Sequence, residues 1–324
     1  MVNAIRFYAH GGPKVLKYEP VELPPPGPGE VRLRHTAIGL NYIDVYHRSG
    51  LYPVTLPCIP GMEAAGVIEA VGEGVKQLKA GDRVVYGRGP IGAYTACRNI
   101  TARELIRLPD GVSDEVAAAA MLKGLTAWYL LHQTFPVAKG DTLLVHAAAG
   151  GVGLVLLQWA KKLGARVIAT VGSEEKAALA RQHGADQVIL YRTEPVAHKV
   201  KMLTDGRGVD VVYDAVGKAT FTASLDSLKP MGMLVSYGQA SGPIPPFDVQ
   251  ELSKRGSLYL TRPSLMDYMK RDATYREAAT SLLHRIAAGD ITIHVAQRFA
   301  LKDAEQAHIA LETRETIGAT VLVP

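Results

Sequence analysis

Cysteine is scarce in this sequence, with only Cys58 and Cys97 among 324 residues. Two cysteines cannot build a disulfide framework or a multi-cysteine zinc site. The chain also lacks an uninterrupted apolar stretch of about eighteen residues, which a membrane-spanning helix needs, and its first residues lack the long apolar core of a signal peptide. We therefore expect a cytoplasmic protein with reduced thiols and no membrane span.

Runs of like charge are absent as well. No five consecutive residues are Lys or Arg, and the net charge is +5. Proteins that bind nucleic acids usually concentrate basic residues on one face or arm, so a nucleic-acid partner is not expected. The apolar content of 48% is ordinary for a globular protein, and the length is sufficient for two domains.

The pattern of the sequence changes near residue 113. Before this point, short strands alternate with Gly and Pro turns, which predicts a small, mostly antiparallel β domain. After it, strands alternate with helical segments, the rhythm of a doubly wound parallel sheet. The strands predicted for that sheet are 142–147, 166–171, 187–190, 209–215, 233–237 and 258–260.

The segment after residue 263 returns to helices and short strands, and we expect it to complete the first domain. The predicted architecture is therefore α/β. A Rossmann dinucleotide-binding domain, 124–262, is inserted into a mostly β catalytic domain made of 1–123 and 263–324.

A glycine-rich run joins the first parallel strand to a predicted helix, 154–163. Ala148 replaces the first glycine of the G-x-G-x-x-G pattern, so the strand–loop–helix context carries the prediction. Glycines allow close backbone approach, and a helix start offers N–H groups to a pyrophosphate. The predicted contacts are Ala149, Gly150, Gly151, Val152 and Gly153.

About twenty residues further on, an NAD site would carry an acidic residue for the ribose, but this chain has Gly172, Ser173 and then Lys176. A cation without a carboxylate suits a 2′-phosphate and predicts NADPH. The alternative is structural, with Ser173 as the N-cap of a helix at 174–183 and Lys176 solvated. The helix dipole disfavours a lysine in a first turn, and a bound phosphate would reverse that penalty.

Several segments together resemble one family: NYIDVY at 41–46, RSGLYP at 48–53, EAAG at 63–66, AAAGGVG at 147–153, VGS at 171–173 and LYLTRP at 258–263. They are similar to the zinc-independent NADPH:quinone oxidoreductases, the zeta-crystallin-like branch of the medium-chain dehydrogenase/reductase superfamily. The resemblance implies a GroES-like catalytic domain around the Rossmann domain.

The zinc-containing alcohol dehydrogenases of that superfamily differ at informative positions. They have Gly-His-Glu where this chain has Gly61, Met62 and Glu63, and a ligand cysteine near the position of Asn41. Zinc needs about four N, S or O donors in a tetrahedron, so no metal is expected. Asp44, Glu63 and Asp82 are interpreted as structural carboxylates rather than chemical acids.

The resemblance also implies the site residues. Asn41 and Tyr46 would lie near the nicotinamide and the substrate, where an amide can orient the carboxamide or a quinone carbonyl. Thr126 would open the helix on the cofactor side. Tyr191, at the end of the third parallel strand, would lie near the adenosine phosphate. Further cofactor contacts are expected at Tyr237, Gly238 and Arg314.

The predicted activity is hydride transfer from the nicotinamide C4 of NADPH to a quinone without a metal. An alternative on the same scaffold is an enoyl-thioester or other activated-alkene reductase with Tyr52 as proton donor. A different class is a non-enzymatic crystallin-like or RNA-binding role. The sequence leaves open the physiological acceptor, one- or two-electron reduction and the proton donor. The resemblance further implies a homodimer paired through the edge strand 257–261.

Overall fold

The computed structural model describes residues 1–314 and 316–324. Their contacts divide the chain into a first unit, Met1–Leu125 with Met269–Pro324, and a second unit, Thr126–Tyr268. The C-terminal segment thus groups with the first unit. The second unit begins at Thr126 and ends at Tyr268, whereas the limits predicted for the Rossmann domain are 124 and 262.

Strands and helices follow one another along the described residues. The strands are β1 (Val2–Arg6), β2 (Lys17–Val21), β3 (Glu30–Leu40), β4 (Glu63–Val71), β5 (Arg83–Tyr86), β6 (Cys97–Thr101), β7 (Ile106–Arg107), β8 (Thr142–Val145), β9 (Arg166–Val171), β10 (Gln187–Leu190), β11 (Val209–Asp214), β12 (Leu228–Ser236), β13 (Tyr259–Thr261), β14 (Val295–Ala300) and β15 (Ala319–Val323). The helices are α1 (Tyr42–Ser49), α2 (Asp114–Tyr129), α3 (Gly151–Lys162), α4 (Glu174–Gln182), α5 (Val196–Leu203), α6 (Phe221–Ser227), α7 (Gln250–Lys254), α8 (Leu265–Tyr268), α9 (Asp272–Ala287) and α10 (Ala304–Glu312).

The first unit is mostly β, as predicted. Its large sheet has the order β14-β15-β3-β4-β5-β7, and β6 also pairs with β3. The long strand β3 accommodates both neighbours on one side, because β6 pairs with its first half and β15 with its last residues. Alternate side chains such as Val31 and Leu33 point into the core and are buried. Strands β1 and β2 form an antiparallel pair.

The second unit contains a six-stranded sheet with the order β10-β9-β8-β11-β12-β13. All of its neighbouring strands pair in parallel, which is the doubly wound Rossmann order. Its core includes Leu144, Ile168, Val212 and Leu234, one from each of four adjacent strands. The predicted fold class is therefore confirmed.

The structure corrects the helix prediction around Gly124. The pattern of the sequence predicts two alanine-rich helical segments here, 114–121 and 124–133. Instead α2 is continuous and is followed by a π-helical turn, Leu130–Thr134. A Cβ at Gly124 would lie within 2.4 Å of Leu282 side-chain atoms, so the glycine admits α9. Thr126 consequently lies inside α2 and does not open a helix.

The sequence predicts that the chain has no membrane-spanning helix. No described helix combines the length and the apolar character that crossing a bilayer requires.

Candidate active site

The glycine-rich loop connects β8 to α3 in the second unit. The helix begins at Gly151, with Gly150 as its N-cap, so the predicted start at residue 154 was wrong. The first N–H groups of a helix have no partner inside it, which makes those of Gly151, Val152 and Gly153 suited to an anion. A Cβ at Gly153 would lie 2.5 Å from the Ala148 carbonyl oxygen. The loop therefore requires glycine at this position.

The loop begins with a strained residue. Ala147 has a φ of 50°, a left-handed conformation that is costly for a residue with a Cβ. The Ala148 N–H donates to the Thr170 carbonyl oxygen of β9, and the Gly150 N–H donates to the Ala147 carbonyl oxygen. These hydrogen bonds stabilise the conformation of the loop.

A buried polar chain supports this loop from inside the unit. Ser224 Oγ donates to Asp214 Oδ2 at 2.9 Å, and His146 Nε2 lies 3.0 Å from the same Oγ. His146 Nδ1 lies 2.9 Å from Thr170 Oγ1. Burial lowers the pKa of His146, which favours a neutral ring that accepts from Thr170 and donates to Ser224. All three members of this Ser–His–Asp group are buried. We therefore interpret the group as structural support for the loop.

The predicted ribose-phosphate segment follows β9. Ser173 is the N-cap of α4, and its Oγ accepts from the Lys176 N–H at 3.3 Å. A Cβ at Gly172 would lie 2.7 Å from the Tyr191 hydroxyl and 3.4 Å from Arg192 Nε. The structure therefore brings the Tyr191 hydroxyl close to Gly172. It adds Arg192, an exposed cation that the sequence analysis missed although it follows the end of β10.

The remaining predicted contacts are dispersed along the chain. Tyr237 and Gly238 come directly after β12, and a Cβ at Gly238 would lie 2.5 Å from the Ala215 carbonyl oxygen. Arg314 lies in the turn after α10 with a φ of 63°. Burial raises the pKa of Tyr42, and the positive charge of Arg314 opposes that increase. Arg314 therefore lies near the start of α1 in the first unit.

The predicted nicotinamide-side residues lie together on one element of the first unit. Asn41 is the N-cap of α1, with an extended backbone. The ring of Tyr46 packs against Tyr52 at 5.1 Å between centroids and against Tyr42 at 5.6 Å. The Tyr52 N–H donates to the Tyr46 carbonyl oxygen at 3.1 Å. The short helix thus gathers an amide and several phenols.

A buried ion pair lies beside Asn41. Glu63, at the start of β4, is 0% exposed. Its Oε1 accepts from Asn41 Nδ2 at 2.7 Å and from Lys123 Nζ at 2.8 Å, and its Oε2 accepts from the Leu122 N–H at 2.5 Å. Glu63 is thus a structural carboxylate with three donors. Lys123 was missed; the signal available was a lysine within the apolar run of α2.

Asp44 forms a second buried network. Its Oδ2 accepts from the Asn41 N–H at 2.9 Å and from the Tyr94 hydroxyl at 3.1 Å. Burial raises the pKa of Asp44 to about 7, against the opposing effect of these hydrogen bonds. Its Oδ1 is buried without a hydrogen bond to any described residue. The site therefore contains a carboxyl group that titrates near neutral pH.

The network continues from Tyr94 to the surface through Arg48. Arginine can only donate, so Arg48 Nη1 donates to His308 Nδ1 at 2.9 Å, and His308 Nε2 donates to the Tyr94 hydroxyl at 3.1 Å. Burial and the nearby Arg48 lower the pKa of His308 to about 3, which agrees with a neutral ring. Arg48 also pairs with both carboxylate oxygens of Glu312, at 2.9 Å each.

The side chains that could ligate a metal do not cluster in residues 1–314 and 316–324. In these ranges no group of three or more His, Cys, Asp or Glu side chains is arranged to hold a metal ion. Met62, at the position where the zinc enzymes have histidine, is buried in the first unit. The absence of a metal from the reaction remains a prediction.

Comparison with known proteins defines the class first. Residues 27–133 match the alcohol dehydrogenase GroES-like domain, and residues 151–283 match the zinc-binding dehydrogenase family. Together with the inserted Rossmann sheet, these matches define a medium-chain dehydrogenase/reductase.

Similarity to individual proteins identifies the family within this class. A quinone oxidoreductase of Pseudomonas aeruginosa is 52% identical over the whole of both chains. The solved structure of Escherichia coli quinone oxidoreductase complexed with NADPH is 47% identical, with a TM-score of 0.97 over 99% of this chain and 100% of that one. A 2-haloacrylate reductase of Burkholderia sp. is 46% identical over 100% of this chain and 99% of its own length. The chain belongs to the quinone oxidoreductase family, which confirms the resemblance.

Proposed function

We propose that this protein is an NADPH-dependent quinone oxidoreductase. The observation that carries the proposal is the full-length identity of 52% to a quinone oxidoreductase. The fold agrees with that of a relative whose structure contains NADPH. The loop at Gly153 suits a dinucleotide because α3 begins there at Gly151 and offers its first N–H groups to a pyrophosphate.

In the second unit, different residues would bind different parts of NADPH. The backbone of 149–153 would bind the pyrophosphate through N–H groups at the start of α3. Ser173, Lys176 and Arg192 would bind the 2′-phosphate, where a cation replaces the carboxylate of an NAD site. Tyr191, Tyr237, Gly238 and Thr126 complete the proposed contacts.

The first unit would supply the residues at the reacting end, with Arg314 as a further contact. NADPH, when bound, supplies a hydride from its nicotinamide C4, so the hard chemistry belongs to the cofactor. Asn41 and Tyr46 orient the reactants, and Tyr52 lines the same surface. Reduction of a quinone needs no protein acid, since its reduced anion can take a proton from water.

Activated alkenes are a second candidate substrate class, favoured by the 46% identity to a 2-haloacrylate reductase. In that reaction a proton must reach carbon, and Tyr52 is the proposed donor. Rates with 1,4-benzoquinone, 9,10-phenanthrenequinone, 2-chloroacrylate and crotonyl-CoA, each with NADPH and NADH, separate the candidates. Turnover of an alkene alone would refute the quinone assignment. Unchanged NADPH fluorescence on addition of protein would favour a non-enzymatic role.

We also propose a cytoplasmic homodimer. β13 forms one edge of the second unit's sheet, and Tyr259 on it is 58% exposed. An uncovered edge strand invites pairing with another strand, so two copies would pair through 257–261. Sedimentation equilibrium is expected to give twice the chain mass, and a monomer at micromolar concentration would contradict the proposal.

A further inference from the structure

The orientation of the Asn41 carboxamide is decided by the atoms around it. Its Nδ2 lies 2.7 Å from Glu63 Oε1 and 3.5 Å from the Gly39 carbonyl oxygen. Both neighbours are acceptors, so the nitrogen must face them. Exchanging the amide's oxygen and nitrogen would place its carbonyl oxygen against a carboxylate oxygen, which is repulsive. The remaining polar atom, Oδ1, accepts from the Asp44 N–H in a capping box, and because an amide oxygen has two lone pairs it can accept one further hydrogen bond.

The surroundings hold this orientation firmly. The Asn41 N–H donates to Asp44 Oδ2, which ties its backbone at the start of α1. Glu63 cannot turn away, because the Leu122 N–H and the Lys123 ammonium occupy its other acceptor positions. Lys123 also balances the charge of Glu63 because the two side chains form an ion pair. The Lys123 side chain is 7% exposed. Asn41 itself remains 7% exposed.

We propose that Glu63 and Lys123 are positioning residues that present Asn41 as a hydrogen-bond acceptor, so that Asn41 recognises a donor group on the bound reactants. A quinone has carbonyl oxygens and no donor, so Asn41 does not bind the oxidised acceptor. The donor is the carboxamide NH₂ of the nicotinamide or the hydroxyl of the quinol product. This inference rests on the proposed function.

Cofactor analogues test the carboxamide source. The reduced thionicotinamide analogue keeps the NH₂ donor, whereas the reduced 3-acetylpyridine analogue lacks it. Loss of one hydrogen bond to a nearly buried acceptor is expected to weaken binding of the acetylpyridine analogue roughly tenfold relative to the thionicotinamide analogue. The ratio of the two dissociation constants, measured by fluorescence, is expected to fall to about one in Asn41→Leu.

The quinol source is tested by product binding. Hydroquinone donates through its hydroxyls, and 1,4-dimethoxybenzene does not. If the quinol is the donor, inhibition by hydroquinone exceeds that by the ether in the wild-type enzyme, and Asn41→Leu removes the difference. The proposal is supported when either pair of ligands shows this dependence on Asn41, and it is overturned when neither does.

A double variant tests the positioning role. In Glu63→Gln with Lys123→Met, the introduced amide can accept from the Leu122 N–H and donate to Asn41, which then turns its NH₂ outward. The wild-type protein's preference for the ligand that carries a hydrogen-bond donor should therefore disappear. Binding of NADPH shows that the variant is folded. Retention of the full preference would contradict the positioning role. Asn41→Ser serves as a second variant if Asn41→Leu does not fold.

Glu104→Gln is the matched control. Glu104 is also buried and accepts from Arg88 Nε at 2.6 Å, so its substitution disturbs a similar ion pair away from Asn41. It is expected to leave the preference for donor ligands unchanged. Absence of quinone reduction with the preference intact would contradict the proposed function, whereas absence of the preference with quinone reduction intact would contradict this inference.

Discussion

In the second unit many of the candidate contacts are backbone groups, whereas in the first unit Asn41 and Tyr46 are buried side chains. Gly153 and Gly172 act by having no Cβ, and the start of α3 offers N–H groups. Around Asn41, by contrast, the charged groups of Glu63 and Lys123 lie in the interior. The comparison shows that one protein can recognise a ligand through backbone shape in one region and through fixed polarity in another. Substitutions should consequently fail differently in the two units.

The largest expected effect is on stability in the first unit. Lys123→Met leaves Glu63 buried without its cation, and breaking a buried pair from one side costs about 3–5 kcal/mol. Urea unfolding should therefore show a large loss, partly restored when Glu63→Gln is added. Arg34→Ala is the control, because the Arg34–Glu69 pair is exposed and such pairs contribute about 0–1 kcal/mol. Equal losses for the two single variants would contradict the assigned role of Lys123.

The next effect is on cofactor binding in the second unit. Gly153→Ala places a Cβ 2.5 Å from the Ala148 carbonyl oxygen, and the forced shift of the loop costs about 1–3 kcal/mol. The dissociation constant of NADPH is expected to rise roughly tenfold to a hundredfold by the same estimate. Gly12→Ala, where a Cβ would meet nothing within 4 Å, should leave it unchanged. Unaltered NADPH binding by Gly153→Ala would exclude the loop from the site.

A further effect depends on pH and returns to the buried charge of the first unit. Because burial raises the pKa of Asp44 to about 7, the native chain binds this proton more tightly than the unfolded chain. The free energy of unfolding therefore falls as pH rises from about 4 to 7, by at most about 1.4 kcal/mol per pH unit. Asp44→Asn should remove this part of the pH dependence. The stability of the variant relative to the wild type should therefore be greater at pH 8 than at pH 4. Parallel stability curves for the two proteins would refute the shifted pKa.

The smallest effect separates NADPH from NADH. Lys176→Ala and Arg192→Ala are each expected to weaken NADPH binding about fivefold, because each removes one cation from a phosphate in a solvent-exposed position. NADH lacks that phosphate and should bind each variant as it binds the wild type. Equal weakening of both cofactors would show that these side chains act on the fold of the segment and do not contact the phosphate.

Prediction from the sequence succeeded where the signal was local. The strand before the glycine-rich loop and Ser173 as an N-cap follow from patterns within a few residues. The start of α3 was misplaced because glycines lower helix propensity, although the loop's close packing places Gly151 and Gly153 in the first turn. The break predicted between residues 121 and 124 is absent because Leu282 packs where a Gly124 side chain would be, and Thr126 therefore lies inside α2.

The same limit explains the residues that were missed. Lys123 lies in an alanine- and leucine-rich helix, and its partner Glu63 is 60 residues away in the chain. Nothing near either residue in the sequence predicts their pairing. Arg192 was within reach, because it follows Tyr191 at the carboxyl end of a parallel strand, where ligands bind in such sheets.

The sequence by itself determined the fold class, the family and the loop that suits a dinucleotide, because strand, turn and helix patterns act over short separations. Tertiary structure alone decided which atoms of Asn41 face Glu63 and that Asp44 titrates near neutral pH. Both depend on desolvation and on contacts between distant segments, and these exist only once the chain has folded.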